Sequence, residues 1–428
     1  MKRRILATTA VVVALGLSAA ACGGGGDATA ARSAKGPIKV WLSNNPEEIA
    51  WGKAMVKEWN AAHSDQKVTA QEIPAGKTSE EVIGAAITAG NAPCLVFNTS
   101  PAAVPQFQKQ GGLVPLDDFS KGADYIEARS GGSADQYKSP DGKFYQIPWK
   151  QNPVMIFYNK DLFKKAGIST TNPPLKTYDE FLATSKKIVD SGAAPSAIAP
   201  APSSEFFQSW FDFYPLYAAA SQGKQTIENK KATFDDQAGK DVWNFWAQMY
   251  AKGYSPKEPY DGDSFADKKA AMAVVGPWAI AVYKGKVNWG VVPVPTKDGA
   301  DPSSIYTFTD AKNIGLYSAC KNQQTAWDVL KFATSKEQDG KLLEMTGQMP
   351  IRKDLPTTYA SYFAKNPEYK TFADQASRTV EVPNVPNSVE IWQKIRDEYS
   401  SSVIFAKSSV DDGIGKAATA ANSLASGS

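Results

Sequence analysis

Between residues 38 and 112 the chain alternates short apolar runs with capped helix starts, and this alternation constrains the fold more than any other feature. Ile38-Lys-Val-Trp-Leu42 reads as a strand. Asn45-Pro-Glu-Glu48 follows it with an N-cap, a proline at the first helical position and an acid two residues later, so a helix begins there. Ile49, Met55, Val56 and Trp59 give that helix one apolar face. A second strand is expected over 68–73. Thr78-Ser-Glu-Glu81 caps the next helix, which Gly90 ends. A third strand covers 94–97, and a short helix over 102–109 stops at Gly111-Gly112. The order is βαβαβ, which predicts an α/β fold with a parallel sheet covered by helices.

The pattern continues in longer units. Residues 143–158 read as extended and run into Asn159-Lys-Asp-Leu-Phe-Lys-Lys-Ala-Gly167, a capped helix closed by glycine. Thr177-Tyr-Asp-Glu180 is another capping box. Helices are expected over 205–220 and 237–252, and strands over 271–275 and 289–292. Residues 310–318 read as extended, and helices follow over 323–334 and from Ser335-Lys-Glu-Gln338. From Ser388 the chain is expected to be mostly helical. At 428 residues it exceeds what one hydrophobic core organises, so more than one domain is required.

The N-terminus is an address. Lys2-Arg3-Arg4 precedes an uncharged apolar run over 5–21, the layout of a secretory signal and too short for a comfortable membrane span. Ala19-Ala20-Ala21-Cys22 resembles a bacterial lipobox, with Ala19 where a leucine is usual. The resemblance implies that Cys22 becomes a lipidated N-terminus; ordinary cleavage that leaves Cys22 a free thiol is the alternative. The signal is therefore 1–21, and the glycine- and alanine-rich stretch 22–36 is expected to be a flexible tether. The three basic residues of the signal account for the whole formal charge of +3, which leaves a neutral mature chain and no electrostatic case for nucleic-acid binding.

Two further cysteines, Cys94 and Cys320, lie in a chain bound for an oxidising compartment. They are read as one disulfide, or else as two separate buried thiols. Neither has a second cysteine nearby, and the chain holds a single histidine, His63, so no metal site, cofactor or histidine-based triad is expected. No phosphate-binding loop, G-x-S-x-G or H-E-x-x-H motif occurs. Trp149, Trp278 and Trp392 stand beside Gly or Pro at strand ends and turns, where a ring can face a cleft; Trp210 lies in an aromatic-rich segment. A flat ring suits the C–H face of a pyranose, with amides and carboxylates binding its hydroxyls. A glycosidase needs only two carboxyl groups at a set distance, so an oligosaccharide hydrolase is the second reading.

Four segments carry a family resemblance. They are Gly142-Lys-Phe-Tyr-Gln-Ile-Pro-Trp149 with Phe157-Tyr-Asn-Lys-Asp-Leu-Phe163; Lys269-Ala-Ala-Met-Ala-Val-Val-Gly-Pro-Trp278; Ala326-Trp-Asp-Val-Leu-Lys-Phe332; and Val382-Pro-Asn-Val-Pro386 with Trp392 and Arg396. Together they resemble the extracellular solute-binding proteins of bacterial ABC importers, the branch that includes maltodextrin-binding proteins. The resemblance implies the two-lobed, type II periplasmic-binding fold, with lobe 1 from 37–150 plus 311–355 and lobe 2 from 151–310 plus 356–428. It places Cys94 and Cys320 in one lobe. It implies a monomer, tethered by lipid to the outer face of the membrane, that binds a neutral carbohydrate and hands it to a permease without catalysis. Carried over residue by residue, Trp278 and Trp392 would be stacking platforms and Arg396 a hydroxyl donor. Asn44 and Asn45 would come from the loop after the first strand, and Asn98, Thr99 and Ser100 from the loop after the third. Gln151 and Asn152 would sit at the first crossover, with Glu205, Phe207 and Trp210 as further contacts. Asp310 and Lys312 stand where relatives often have two glycines, as a charged pair at the cleft or a lobe-crossing salt bridge.

Overall fold

The computed structural model describes residues 25–43, 45–75, 78–200 and 208–427. The signal segment and Cys22 lie outside them. Fourteen strands occur among the described residues. They are β1 Ile38–Leu42, β2 Val68–Glu72, β3 Leu95–Thr99, β4 Ile147–Gln151, β5 Met155–Asn159, β6 Ser196–Ile198 and β7 Ile227–Glu228. The remainder are β8 Lys231–Ala232, β9 Ala270–Val275, β10 Trp289–Val292, β11 Thr307–Phe308, β12 Lys312–Leu316, β13 Met349–Pro350 and β14 Thr379–Val380.

Two main sheets centre two lobes. The first has the order β13-β4-β12-β3-β1-β2, with β1, β2 and β3 parallel and β12 antiparallel to both β3 and β4. The second has the order β10-β5-β9-β6. Strands β4 and β5 follow each other with only three residues between them yet belong to different sheets, so the chain crosses from one lobe to the other there. It crosses again between β11 and β12. The two crossings run side by side: Asp310 N donates to Asn152 O (3.1 Å) and Val154 N to Phe308 O (2.9 Å).

The local signals act as read. Asn45 Oδ1 accepts from Glu48 N at 3.1 Å, and Thr177 with Glu180 forms a complete capping box. Gly90, Gly111 and Gly167 end their helices at φ of 67°, 69° and 66°, where a Cβ would be strained. Trp51, Trp149 and Trp327 fill the core of the first sheet with Leu95, Phe97 and Leu316, all at most 1% exposed. The Cys94 and Cys320 sulfurs lie in the same core, 1.98 Å apart. A larger core on the second sheet gathers Phe213, Tyr217, Trp243, Trp246 and Trp392. A third cluster joins Leu343 and Met349 to Phe157, Ile280, Phe363 and Phe372, so the end of the 311–355 stretch is packed onto the neighbourhood of the second sheet.

Two expectations need correction. The segment read as a flexible tether is helical over Gly25–Ser33, and its end is docked on the first lobe. Arg32 pairs with Asp118 and lies over the Phe119 ring, and Ala34 O accepts from Gln324 N at 3.2 Å. The alanines and Arg32 of a segment that looks like linker are good helix formers, and a partner surface supplies the stability that so short a helix lacks alone. The helix expected over 205–220 is confined, among the described residues, to Phe213–Ala220 after a 3-10 turn at Gln208–Trp210. Asp212 caps it by accepting from Phe213 N at 2.8 Å.

Candidate ligand-binding site

The carboxyl ends of parallel strands are where α/β sheets hold ligands, because loops diverge there and leave a crevice. In the first sheet β1 and β3 end at one edge. Antiparallel β12 begins at that edge and β4 finishes there, with Lys312 in register with Lys150 and Asn313 with Thr99. One polar shelf results, facing the second lobe. It carries Glu48, Asn98, Thr99, Lys150, Asn152, Asp310 and Lys312.

The shelf is densely bonded. Lys150 and Glu48 form an ion pair with side chains 2% and 3% exposed. Gln348 bridges them: its Nε2 donates to Glu48 Oε1, and its Oε1 accepts from Lys150 Nζ at 2.6 Å and from Asn152 Nδ2 at 3.3 Å. Burial alone would raise the Glu48 carboxyl. The Lys150 ammonium and donors from Lys150, Ser43 and Gln348 outweigh it and hold the group below the ordinary carboxylate value. The same burial depresses the Lys150 ammonium, with Glu48 opposing. Lys312 Nζ lies 2.7 Å from Asp310 Oδ1, so this pair closes on itself beside the crossing strands. Burial works to lower the Lys312 ammonium, but the Asp310 carboxylate outweighs it and the group is raised.

Two amide oxygens on the shelf are left without a partner. Asn98 and Thr99, expected on the loop after the third strand, lie inside β3. Asn98 stands there at φ 65°, a conformation asparagine tolerates, where the pairing with β12 shifts register between Thr99–Asn313 and Val96–Gly315. Its Oδ1, like that of Asn152, is buried and makes no hydrogen bond. A buried acceptor without a donor costs about 1–3 kcal/mol, which a hydroxyl-bearing ligand removes. Ser100 is spoken for: its Oγ accepts from Ala102 N at 3.3 Å, and its N donates to Glu80 Oε1 at 3.2 Å. Gln151 is 4% exposed and reaches Thr379 Oγ1 at 3.4 Å. Asn45 combines its capping role with a place on the wall of a cavity that also holds Trp278.

The tryptophans divide. Trp149 is fully buried between Trp51 and Phe97, with centroids 5.4 and 5.5 Å away, and faces no cleft. Trp392 is 1% exposed, packed edge-on to Trp210 at 5.7 Å and beside Tyr214 at 5.2 Å, so its ring offers no open face here. Proline-flanked position misled because the residue lies on helix Ser388–Tyr399, whose inward stripe of Ile391, Trp392, Ile395 and Tyr399 is core. Trp210 is closed in the same way, 3% exposed and 5.5 Å from Phe308. Arg396 is half-buried and holds Asp397, at 2.6 Å from Nη2. Trp278 differs. It opens helix Trp278–Tyr283, touches Phe211 edge-on at 6.1 Å and keeps part of its ring uncovered. Asn44, Glu205 and Phe207 lie outside the described residues.

Lys150 and Gln348 were not singled out from the sequence. A lysine inside the otherwise uncharged Ile147-Pro-Trp-Lys-Gln151 strand was the available signal, since a buried lysine needs a partner.

Residues 54–371, well over half of the chain, match the model of the bacterial extracellular solute-binding protein family. The chain is similar to the diacetylchitobiose-binding protein DasA of Streptomyces coelicolor, 26% identical over 378 residues and 83% of each chain. It is also similar to the sn-glycerol-3-phosphate-binding periplasmic protein UgpB of Rhizobium meliloti, 24% identical over 87% of this chain and 94% of that one. Its fold is that of the GacH receptor of Streptomyces glaucescens, solved unliganded and with acarbose: TM-score 0.75 at 23% identity, over 92% of this chain and 99% of that one. The crossings between two sheets, the shelf at the strand ends and the family match agree, and the chain belongs to the bacterial extracellular solute-binding proteins.

Proposed function

We propose that this protein binds a neutral, hydroxyl-rich carbohydrate between its lobes and delivers it to the permease of an ABC importer. Export follows from the extracellular family; the lipid tether at Cys22, the Cys94–Cys320 disulfide and the monomeric state are part of the proposal. So is the division into 37–150 plus 311–355 and 151–310 plus 356–428. The shelf with Asn45, Asn98, Thr99, Ser100, Gln151, Asn152, Asp310 and Lys312 would bind hydroxyls, with Trp278 as the stacking ring.

The observation that carries the reading is the charge balance of the shelf. Lys150 is matched by Glu48 and Lys312 by Asp310, while the amide oxygens of Asn98 and Asn152 wait for donors. A phosphate monoester would find no unmatched cation on this shelf among the described residues; a ring of hydroxyls supplies the missing donors. That favours the sugar binders among the relatives over the glycerol-phosphate binders. Closure follows from linkage: a ligand that touches both lobes favours the closed form by its differential affinity.

Calorimetry with a panel of mono- to tetrasaccharides and sn-glycerol 3-phosphate tests the reading. Sugar binding without new reducing ends is expected. Binding of the phosphate alone overturns the ligand class, and release of reducing ends restores the hydrolase reading.

A further inference from the structure

A cavity of about 800 Å³ lies at the junction of the two lobes, beside the segment that follows β13, within the size range of ligand pockets. Ser130, Ser133 and Gln136 line it from the first lobe, and Tyr306, Ser377 and Thr379 from the second. Arg352 and Lys353 complete the lining where the chain passes back towards the second lobe. The cavity shares only Gln151 with the residues assigned to the sugar, so it is a second space and not an extension of the shelf.

Its charges do not balance as those of the shelf do. Two guanidinium groups share one carboxylate: Arg129 Nη2 lies 3.0 Å from Asp339 Oδ1, and Arg352 Nε 2.9 Å from Asp339 Oδ2. Neither arginine meets a second carboxylate among the described residues. Arg129 is sealed in at 2% exposure and spends its other donors on backbone carbonyls, whereas the Arg352 side chain keeps 17% exposed and lines the cavity. Lys353 and Asp354, both exposed, offset each other at the rim, and Lys370 holds Asp374 at 2.6 Å. The surplus positive charge therefore falls on Arg352. A hydroxyl stands unspent beside it. Ser130 lines the cavity, is 3% exposed, and its Oγ is buried without a hydrogen-bond partner. Lys353 N donates to Arg129 O at 2.9 Å, which keeps Ser130 next to the Arg352–Lys353 segment. A cation and an unspent donor in one cavity call for an acceptor that carries negative charge.

We propose that this cavity is a second ligand site, which takes a small hydroxylated oxyanion, a carboxylate or a phosphate ester, at the junction of the lobes. The planar fork of Arg352 holds the anionic group and the Ser130 hydroxyl donates to it, while Ser133, Gln136 and Ser377 meet the hydroxyls of its body. The site stands whether or not the shelf takes a sugar. Because its walls come from both lobes, occupancy biases the angle between them. By reciprocity the anion and the ligand of the shelf then change each other's affinity by the same factor.

The test is calorimetry on the intact protein with inorganic phosphate, sn-glycerol 3-phosphate and D-glycerate, with glycerol as the uncharged control. The last two anions share a body and differ in the charged group, so they tell a phosphate site from a carboxylate site. Saturable binding of at least one anion and none of glycerol is expected. Arg352→Gln should weaken it about tenfold or more, the scale of a charge-assisted hydrogen bond. Lys353→Gln leaves Asp339 its partners, so it reads the site even if Arg352→Gln does not fold; it should weaken binding about threefold, as an exposed charge does. No binding of any anion, or equal affinity in the wild type and both variants, overturns the site. A glycerol-phosphate signal that neither variant alters belongs to the shelf and counts against the carbohydrate reading too. Sugar affinity with and without saturating anion reads the link between the sites, and equal values overturn the coupling.

Discussion

The Arg129 guanidinium lies 3.0 Å from the Asp339 carboxylate, with side chains 2% and 0% exposed, and donates at the same time to Trp149 O (3.0 Å) and Ile351 O (2.8 Å). One side chain thus holds β4 just before it leaves the first sheet and the strand segment that follows β13. Arg352 Nε adds a second cation 2.9 Å from Asp339. Strands that carry a hinge must keep their spacing while the lobes move, and a fixed point of this kind supplies it.

Arg129→Met should therefore lower the unfolding free energy by about 3–5 kcal/mol, because it strips a buried carboxylate of its main partner. Combining it with Asp339→Leu should recover a large part of that loss, since the stranded charge is removed too. Urea denaturation of the two variants reads both numbers. A double variant less stable than Arg129→Met would show that the pair contributes packing and hydrogen bonds beyond its charge balance.

The proposed Cys94–Cys320 bridge closes a loop of 226 residues and ties the start of β3 to the end of β12's run. Replacing both cysteines by alanine should cost about 2–4 kcal/mol, chiefly through the freedom returned to the unfolded chain. Reductant should lower the wild-type melting temperature and leave the variant unaffected. An intact mass that gains no two hydrogens on reduction removes the bridge.

Trp278 and Trp392 should separate binding from stability. Trp278→Ala is expected to weaken sugar binding by roughly 1–3 kcal/mol, by analogy with base–aromatic stacking, with little change in melting. Trp392→Ala empties a site between Trp210 and Tyr214 and should cost about 3–5 kcal/mol of stability. The reverse pattern, a stable Trp392→Ala that no longer binds, would return Trp392 to the site as a ring uncovered by lobe opening.

Local chemistry made much of this fold legible. The caps at Asn45, Thr78 and Thr177, the helix-ending glycines and the parallel β1–β2–β3 order follow from rules that act within a few residues. The site was less legible, because which face of an element turns to the cleft depends on partners far away in sequence. Trp149 and Trp278 both follow a proline, yet one lies between Trp51 and Phe97 and the other on a cavity. Lys150 is invisible as a site residue until Glu48 and Gln348, respectively 102 and 198 positions away, are brought beside it. The docked helix Gly25–Ser33 escaped for the same reason: its partners, Asp118 and Gln324, are distant.

Glu381 gives a stability test with a definite sign. It follows β14, is 1% exposed, and its carboxyl accepts from Val382 N at 2.7 Å and meets Tyr137 OH at 3.3 Å. Burial pushes this carboxyl well above the ordinary value of 4.5; the Asp310 carboxylate adds to the rise, while the Val382 amide and Lys312 oppose it. In the unfolded chain the group ionises near its ordinary value. From there upward the folded state holds the proton that the unfolded state has lost, so stability contributed at acid pH is lost as pH rises towards the folded value. Glu381→Gln keeps the shape and cannot ionise. Melting curves of both proteins from pH 4 to 8 should diverge, with the variant gaining up to about 1.4 kcal/mol per pH unit over the wild type. Parallel curves would mean that Glu381 is ionised in the fold and that Lys312 and the surrounding donors compensate its burial.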